Sequence, residues 1–492
     1  MPTIEELHQE RLKKLQLLKE KGIDPYPITS FRDTEIAKLI AEFNKYEKEK
    51  RESVIAGRIR AIRVHGKAAF FDLEDASGKI QIFATLEKTK EFEFLLQTFD
   101  VGDIIECKGS AYLSKRNEKS LELFEWRFLA KSLYPLPSEW FGLKEKEERF
   151  RKRYVDLLMN QSVKERFVIR TKIITAIRRF FDEQGFLEVE TPTLQALYGG
   201  GFARPFITHH NELKRDFYLR ISDEMYLKRL IVGGFEKVYE ITKVFRNEGI
   251  DFDHNPEFTM FEAQIAYQDY RYGMDIIEEL FEYVALHVLG TTELQFKDDA
   301  ISVKRPWKRY KLVEAIKTFS GIDPLKWKTI SEAKKAIVGC GIKEEKLSEL
   351  DKMQSLGQMM AFLFEETVEE KLIQPTIIYD YPIEVSPLAK KCDDSRFTQR
   401  FEYFAFGSEL GNNYSELNDP LELAQRFINE KKKIEAGFEE AHQTDYDYLQ
   451  AIEHGFPPTC GLSIGIDRMA MLLSNAPSIK EVILFPLMKS KE

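Results

Sequence analysis

One segment of the chain, KVYEITKVFRNEGIDFDHNPEFTMFEAQIAY, concentrates side chains that can bind a phosphate and a cation. Both ends alternate like strands, and the Gly, Asp, Asn and Pro residues between them are typical of a turn, so the segment predicts a long hairpin-like loop. A period of two puts Arg246 and Glu248 on one face of the first arm. The same period puts Phe258, Glu262 and Gln264 on one face of the second arm. A core-facing glutamate is costly unless it is paired or binds a ligand, which leaves a structural Arg246–Glu262 ion pair and a ligand site as the two interpretations.

A second segment, FEYFAFGSELGNNYSELND, carries Glu402, Glu409 and Glu416 at intervals of seven residues. Strict alternation would put Glu402 and Glu409 on opposite faces of a strand, but Gly407 and Gly411 permit a bulge that turns both to one face. Converging carboxylates are suited to Mg²⁺, which keeps several waters and is usually shared with the phosphates of a substrate. The alternative interpretation is a solvated acidic edge.

A third segment, CGLSIGIDRMAMLL, predicts a strand that turns into a helix through Gly465. Arg468 then lies in the first turn of that helix, where backbone N–H groups and a guanidinium together favour phosphate. Taken alone, an arginine at a helix start is more often an ordinary surface residue.

The elements that position these segments belong to a chain of 492 residues, a length that suggests about three domains. With 43% hydrophobic and 32% charged residues, the composition is that of a globular protein. No run approaches the roughly 18 apolar residues of a membrane helix, and the N-terminus has no apolar core, so we expect neither a membrane partner nor a signal peptide. The four cysteines form no CxxC pair, which argues against a disulfide framework and a zinc site. We therefore expect a cytoplasmic protein.

The net charge of −9 is unevenly distributed along the chain. Residues 1–131 contain 24 Lys and Arg and 23 Asp and Glu, a balance of +1, so the rest of the chain carries −10. A nearly neutral N-terminal third that is rich in lysine and arginine can still bind a polyanion locally, because patches of charge and not totals set the field.

This N-terminal third predicts a helix followed by a small β-barrel. Residues 4–21 form an amphipathic pattern with a basic face, which either packs on a neighbouring element or stays solvated. Between residues 53 and 137, five short strands separated by turns predict the barrel. Such barrels bind single-stranded nucleic acid by stacking bases on aromatic side chains over a basic groove, for which Phe70 and Arg63 are candidates. The alternative for the adjacent phenylalanines Phe70 and Phe71 is one surface and one core residue.

The remainder of the chain mixes strands and helices irregularly. Residues 166–184 predict a core-facing helix that ends at Gly185, and residues 306–370 predict a helical insertion packed on the main domain. The sequence has no GxGxxG and no GxxxxGK[ST] pattern, so neither Rossmann nor P-loop chemistry is indicated. The predicted domains are an N-terminal helical extension (1–50), the barrel (51–137), a linker (138–155) and a large domain (156–492).

Taken together, the three segments resemble the signature motifs of class II aminoacyl-tRNA synthetases. The helix at 166–184 running into FLEVETPTL is similar to motif 1, FRNEG…HNPEFTMFE to motif 2 and GLSIGIDRMAML to motif 3. An N-terminal barrel followed by this catalytic domain is the layout of subclass IIb, which comprises the aspartyl, asparaginyl and lysyl enzymes. The fold that the resemblance implies is α+β, with an OB-type five-stranded β-barrel that binds the anticodon and a catalytic domain built on an antiparallel sheet flanked by helices.

Within subclass IIb the chain is similar to the lysyl-tRNA synthetases in GGGFARPFITHHNEL, YLRISDEMYLKRLIVGGFEKVYEI, EVSPLAKK, YSELNDPLELAQRF and EHGFPPTCGLSIGIDR. The resemblance implies activation of L-lysine by ATP, release of pyrophosphate and transfer of lysine to the 3′ end of tRNA(Lys), by a homodimer with two or three bound Mg²⁺ ions. An aspartyl enzyme would need a cation in its side-chain pocket. This sequence offers acids there, and acids favour a lysine ammonium.

The resemblance also implies roles for individual residues. Arg246 would bind the ATP α-phosphate and the amino-acid carboxylate, and Arg468 would bind the γ-phosphate. Phe258 would stack on adenine, with Glu248 and His254 at its adenine and phosphate ends. The remaining implied roles are Mg²⁺ ligation (Glu402, Glu409), binding of the lysine side chain (Glu262, Glu416, Tyr414), contacts to its α-amino and carboxylate groups (Gly200, Glu224, Asn412) and anticodon reading (Arg63, Phe70, Gln81, Glu118).

One position departs from the family pattern. The family usually carries Tyr two residues after the position of Glu262, where its hydroxyl helps bind the ε-ammonium, whereas this chain has Gln264. A Gln carbonyl can also accept a hydrogen bond from an ammonium, so lysine binding survives in principle, while affinity and the rejection of analogues are left open. Two rival functions remain, a sister enzyme for aspartate or asparagine and a catalytically silent paralogue that binds RNA. The acidic pocket opposes the first, and the intact charged site opposes the second.

Overall fold

The structure, a computed structural model, describes residues 3–114, 116–137, 145–201, 203–435 and 444–490. The chain divides into two compact units, Met1–Lys144 and Glu145–Glu492. Of the predicted linker, residues 138–144 lie outside the described residues.

The N-terminal unit is built on a closed five-stranded barrel. Its elements are α1 (Ile4–Glu20), α2 (Ile36–Ala41), α3 (Phe43–Glu49), β1 (Glu52–His65), β2 (Ala68–Glu74), β3 (Lys79–Thr85), α4 (Phe92–Thr98), β4 (Ile104–Leu113) and β5 (Lys119–Ala130). The strands close in the order β1-β2-β3-β5-β4, which confirms the predicted barrel fold. Alternation along β2 buries Phe71 completely and leaves Phe70 half-buried on the outer face, because successive side chains of a strand point to opposite sides.

The basic face of α1 packs within its own unit. Arg11 is buried and donates hydrogen bonds to the carbonyl oxygens of Val101 (2.9 Å), Ser132 (3.1 Å) and Tyr134 (3.2 Å). Lys14 forms an ion pair with Asp100 at 2.7 Å. Of the two interpretations of this face, the structure therefore supports packing for these two residues.

The second unit contains helices on both sides of a large sheet. Its helices are α5 (Lys146–Arg151), α6 (Arg153–Met159), α7 (Gln161–Glu183), α8 (Glu224–Val232), α9 (Tyr270–Leu289), α10 (Leu312–Ser320), α11 (Ile330–Val338), α12 (Glu344–Leu347), α13 (Leu356–Thr367), α14 (Pro420–Glu435), α15 (Tyr446–Glu453) and α16 (Ile466–Leu473). Its strands are β6 (Leu187–Glu188), β7 (Leu194–Gln195), β8 (Ile207–His210), β9 (Arg215–Leu219), β10 (Lys237–Phe245), β11 (Glu257–Ala266), β12 (Glu293–Phe296), β13 (Asp299–Ser302), β14 (Lys308–Lys311), β15 (Thr376–Pro382), β16 (Phe397–Ala405), β17 (Ser408–Ser415) and β18 (Thr459–Gly465).

Eight of these strands form one sheet in the order β14-β15-β16-β17-β18-β11-β10-β6. Its pairs are antiparallel except for β14–β15 at one end and β10–β6 at the other, which are parallel. The predicted α+β fold of this unit, built on an antiparallel sheet flanked by helices, is thus confirmed. The smaller sheets are β12-β13 and β7-β9-β8.

The two faces of the large sheet have different environments. Phe261, Ala263 and Ile265 of β11 belong to the main core together with residues of α7, α9 and α16. The alternate residues of β11 point to the other face, as the period of two predicts, and there Phe258 and Glu262 line a cleft. The predicted helix that ends before Gly185 is present as α7 and begins at Gln161, earlier than expected.

The segment predicted as a helical insertion is partly sheet. Residues 308–311 form β14, which pairs in parallel with β15 at the edge of the large sheet. Helices α10 to α13 follow and pack around a core of their own, which includes Leu312, Ile337 and Leu363. Within the described ranges, no helix has the length and apolar character needed to cross a membrane.

Candidate active site and nucleic-acid-binding face

A cleft of about 1140 Å³ opens on the large sheet of the second unit. Twelve of the predicted site residues line it, and they come from strands, helices and loops that are distant in the sequence. Gln264 and Glu416 are buried behind this lining and do not face the cleft directly. The twelve lining residues are Gly200, Glu224, Arg246, Glu248, His254, Phe258, Glu262, Glu402, Glu409, Asn412, Tyr414 and Arg468.

Arg246 is the first residue after β10, and its side chain lines the cleft. β10 ends at Phe245, so Arg246 and Glu248 lie in the loop that follows the strand, and both line the cleft as predicted. One further backbone bond, from Arg246 N–H to the Pro256 carbonyl at 2.9 Å, holds Arg246 against the returning arm. Its guanidinium carbon lies 5.2 Å from the centroid of the Phe258 ring.

The alternative of a structural Arg246–Glu262 ion pair is not supported. In the part of the chain that the structure describes, no carboxylate lies within ion-pair distance of Arg246, and its buried Nε has no hydrogen-bond partner. Burial lowers the pKa of Arg246, against the opposing effect of Glu248, Glu409 and Glu262. A guanidinium stays charged even so. Arg246 is therefore a cation with unused donors at the edge of a cleft.

Glu402 and Glu409 are brought to one face by a bulge. Glu402 pairs with Asn412 and Tyr403 with Gly411, but Phe404 then pairs with Glu409, so β17 contains one extra residue at this point. Without that residue Glu409 would point to the opposite face, because side chains alternate along a strand. The bulge that the sequence permitted is thus present, and both carboxylates line the cleft.

The surroundings of these two carboxylates are strongly acidic. Arg400 forms an ion pair with Glu402, yet burial and the nearby Glu409 still raise the pKa of Glu402. Burial together with the charges of Glu402 and Glu409 raises the pKa of Glu365 to about 7 and that of Glu369 to about 8. Among the described residues, no group of three or more His, Cys, Asp and Glu side chains is close enough to hold a metal ion.

Arg468 lies in the first turn of α16, as predicted. Its Nη1 donates a hydrogen bond to the carbonyl oxygen of Glu409 at 2.5 Å, which fixes the guanidinium next to the bulge. The side chain lines the cleft on the same side as Glu409. A cation and a carboxylate are therefore adjacent at this end of the site.

At the other end, a buried lysine of the chain itself joins two of the predicted carboxylates. Lys228 is fully buried; its Nζ lies 2.5 Å from Glu416 Oε2 and forms a second ion pair with Glu224. The rings of Tyr414 and Tyr448 lie 5.2 and 5.9 Å from this ammonium. Although burial opposes it, the two carboxylates hold the pKa of Lys228 well above its usual range. Burial and Glu224 raise the pKa of Glu416 to about 8, against the effect of Lys228.

Glu262 and Gln264 present buried acceptors that the described residues leave unpaired. Glu262 Oε1 accepts a hydrogen bond from Ser222 Oγ at 2.8 Å, and Gln264 Nε2 donates to Glu416 Oε1 at 2.9 Å. Glu262 Oε2 and Gln264 Oε1 have no hydrogen-bond partner in the part of the chain that the structure describes. A Cβ at Gly461 would lie 2.3 Å from Glu416 Oε1, so only glycine leaves room for this arrangement. Such unpaired acceptors are suited to an ammonium, which carries three donors.

Gly200 brings the backbone close to this pocket. Its φ is +83°, a conformation that side chains rarely adopt, and a Cβ would lie 2.7 Å from Ser222 Oγ and 3.1 Å from Glu224 Cβ. Asn412 accepts a hydrogen bond from Arg400 Nε at 3.0 Å and lines the cleft nearby. His254 is exposed, and its Nδ1 lies 2.9 Å from Asp251 Oδ2.

The predicted anticodon-reading residues lie on the outer face of the barrel. Arg63 is directly opposite Phe70 in the β1–β2 pair, and Phe70 is directly opposite Phe83 in the β2–β3 pair, so all three share one face. The rings of Phe70 and Phe83 stack with centroids 5.1 Å apart. Gln81 donates to Glu118 at 3.0 Å. Arg63, Gln81 and Glu118 also line a shallow pocket beside this stack.

Several side chains in the cleft or behind its lining were not predicted from the sequence. Lys228 follows Glu224 by one helical turn, a spacing that signals a pair, but nothing local indicates that Glu416 completes it. Glu365 and Glu369 read as an ordinary charged helix end. Nothing in the sequence pattern indicates a role for Asp223, whose two oxygens are buried with no side-chain donor among the described residues.

Family models match both units of the chain. Residues 145–489 match the model described as tRNA synthetases class II (D, K and N). Residues 54–129 match the model of the OB-fold nucleic acid binding domain, described as tRNA anti-codon.

Curated relatives are similar to the chain over almost its entire length. The lysine–tRNA ligase of Pelotomaculum thermopropionicum is 49% identical over 99% of this chain and 96% of its own. That of a Thermoanaerobacter species is 48% identical over 99% and 97%, and that of Moorella thermoacetica is 47% identical over 98% and 97%.

Proposed function

Since this chain belongs to the lysine–tRNA ligases, a family of class II tRNA synthetases, we propose that its cleft binds ATP and L-lysine through the lining residues described above. The chain is an aminoacyl-tRNA synthetase that activates lysine with ATP and joins it to tRNA. The observation that supports the site is that twelve predicted residues from distant parts of the sequence line one cleft. Lysine-dependent ATP–pyrophosphate exchange, carried out without tRNA, tests this assignment.

In the proposed first step, the carboxylate of lysine attacks the α-phosphorus of ATP in line and pyrophosphate leaves. Such a step needs positioning and charge stabilisation and little acid–base chemistry. Arg246 binds the α-phosphate and the attacking carboxylate, and Arg468 binds the γ-phosphate. The Phe258 ring, which lies beside Arg246, stacks on adenine, with Glu248 and His254 at its two ends.

The amino acid is held in the acidic end of the cleft. Glu224 binds the α-amino group next to the close backbone approach at Gly200, and Asn412 lies at the carboxylate. Glu262 binds the side-chain ammonium, with Gln264 and Glu416 behind it and Tyr414 along the stem. In the second step, a hydroxyl of the terminal adenosine of tRNA attacks the mixed anhydride and releases AMP.

We further propose that Glu402 and Glu409 ligate Mg²⁺ together with the phosphates of ATP. Two carboxylates on one face of the cleft fit an ion that takes one or two protein carboxylates and completes its shell with phosphates and water. Bound there, Mg²⁺ would neutralise charge on the phosphates. Arg400 orients Glu402 through their ion pair, and Arg468 flanks Glu409.

Glu409→Gln is expected to raise the Mg²⁺ concentration needed for half-maximal exchange at least about tenfold, because a neutral amide is a much weaker ligand than a carboxylate. Excess Mg²⁺ should restore part of the rate, which a merely structural role of Glu409 would not allow. Glu293→Gln, at an exposed position outside the cleft, is the control. An unchanged Mg²⁺ requirement would refute the assignment.

For tRNA(Lys), we propose that the outer face of the barrel reads the anticodon through Arg63, Phe70, Gln81 and Glu118. The stacked Phe70 and Phe83 rings offer a platform for a base, and Arg63 lies directly beside it.

Phe70→Ala is expected to raise the KM for tRNA by about 5- to 150-fold, since base–aromatic stacking contributes about 1–3 kcal/mol per base. ATP–pyrophosphate exchange with lysine should not change, because it does not involve tRNA. Phe31→Ala removes an exposed ring of the same unit that packs on Arg127 and serves as the control. Equal effects of the two substitutions on the KM for tRNA would argue against the stacking role.

We propose a homodimer that acts in the cytoplasm. Three apolar side chains of the motif 1 region are each about half exposed: Val168 of α7, and Leu187 and Leu194 in the strands that follow it. This region therefore offers apolar surface for a second copy of the chain. We also propose four domain ranges: the helical extension (1–50), the barrel (51–137), the linker (138–155) and the catalytic domain (156–492).

A further inference from the structure

Asp223 lies directly before α8 and is completely buried beside Glu262. The two carboxyl groups are within hydrogen-bonding reach of each other. Among the described residues, no side-chain donor reaches either oxygen of Asp223 or Oε2 of Glu262. Two carboxylates are acceptors only, so this arrangement is satisfied by a proton between them or by an external cation.

Two buried negative charges in contact are strongly unfavourable without compensation. Burial and the charge of Glu240 raise the pKa of Asp223 to about 7, although Arg220 opposes the shift. Burial, Asp223 and Glu224 raise the pKa of Glu262 well above its usual range. With the pocket empty, the pair therefore keeps a proton at pH values at which an ordinary carboxyl group is already ionised.

Glu262 is the member of the pair that faces the cleft, and Asp223 lies behind it. We propose that Asp223 is a positioning residue for the amino acid: Asp223 and Glu262 share one proton in the empty pocket, and the side-chain ammonium of lysine displaces this proton into solvent when it binds to Glu262. This inference rests on the proposed function, in which lysine binds at Glu262.

Other charged groups surround the pair of carboxyl groups. Arg220 and Glu240 face Asp223, and they form an ion pair with each other at 2.7 Å. Glu224 faces Glu262 and is already bound to Lys228, while Arg246 lies at the mouth of the pocket. None of them donates a hydrogen bond to the unpaired oxygens of Asp223 and Glu262, so an incoming ammonium supplies what the resident cations do not.

Displacement of a proton makes lysine binding depend on pH with a defined sign. Below the pKa of the pair, each lysine must displace one proton, so the Kd for lysine falls by up to about tenfold for each unit of rising pH. The dependence disappears once the empty pair has lost its last proton. Free lysine does not change its own charge between pH 5 and 7.

The test is calorimetric titration of the full-length protein with lysine, without ATP, between pH 5.5 and 7. In Asp223→Asn the amide can donate permanently to Glu262, so no proton is shared. We expect the Kd for lysine to fall by up to about tenfold per pH unit in the unaltered protein. In the variant we expect it to fall by no more than about twofold per pH unit. Glu416, whose own titration is common to both proteins, cancels in this comparison. ATP titrations serve as the control and should give equal slopes.

If both proteins bind lysine with the same slope, the inference about Asp223 is overturned while the proposed function stands. If the unaltered protein does not bind lysine at all, both are overturned. Should Asp223→Asn fail to fold, titrations of the unaltered protein at pH 6 in two buffers of different ionisation enthalpy decide the matter. Release of about one proton per lysine supports the inference, and release of none overturns it.

Discussion

Arg246→Ala is expected to reduce lysine-dependent ATP–pyrophosphate exchange by about three orders of magnitude or more. Arg246 is a partly buried cation whose buried Nε has no partner among the described residues, so its donors are available for the α-phosphate and the attacking carboxylate. Loss of one such charge-stabilising group from a water-poor site costs about 10²- to 10³-fold, and loss of a guanidinium from phosphoryl transfer costs about 10³- to 10⁵-fold.

Binding of tRNA is expected to remain largely intact in Arg246→Ala, since the proposed anticodon contacts lie in the barrel. Arg246→Lys keeps the charge without the bidentate geometry and should fall between the two proteins. Arg396→Ala removes an exposed arginine that forms an ion pair with Asp394 and provides the control. Exchange within tenfold of the unaltered protein would show that Arg246 does not have this role.

Glu262→Gln is expected to raise the KM for lysine far more than the KM for ATP. A lysine ammonium that loses its buried carboxylate partner is destabilised by about 3–5 kcal/mol, which corresponds to at least about a hundredfold in KM. The isosteric amide preserves volume and can still accept the hydrogen bond from Ser222, so a packing defect would not produce the same difference.

The matched control is Glu257→Gln, at the exposed start of the same strand, which should change neither KM. Proportional increases in both KM values for Glu262→Gln would mean that Glu262 supports the fold of the cleft and does not select the amino acid.

The positions of the barrel strands and of the β10–β11 hairpin could be predicted because alternation of apolar and polar residues is a local signal. Phe70 and Phe71 illustrate this, since one outer and one buried ring follow directly from a period of two. Arg246 lies one residue beyond the end of the strand, so a period of two alone does not fix its direction, although it does line the cleft. At Glu402 and Glu409 the sequence could only permit a bulge, and the pairing of Phe404 with Glu409 decides which face both occupy.

The remaining features of the cleft depend on contacts between distant elements. Lys228 is separated from Glu416 by almost two hundred residues in the sequence, yet their side chains form a fully buried ion pair. Asp223 and Glu262 meet because α8 packs on β11. Such partners leave no periodic trace in the sequence, so the pocket could be predicted as acidic but not as partly neutralised by a lysine of the chain itself.

The central claim is that this cleft activates lysine and rejects other amino acids despite the Gln264 departure. ATP–pyrophosphate exchange without tRNA, measured with lysine, ornithine, arginine, aspartate and asparagine in turn, tests it most directly. We predict rapid exchange with lysine, weaker exchange with ornithine, whose shorter side chain reaches Glu262 less well, and at least about a hundredfold less with the other three. Comparable exchange with aspartate or asparagine, or none with any of the five from folded protein, would contradict the claim.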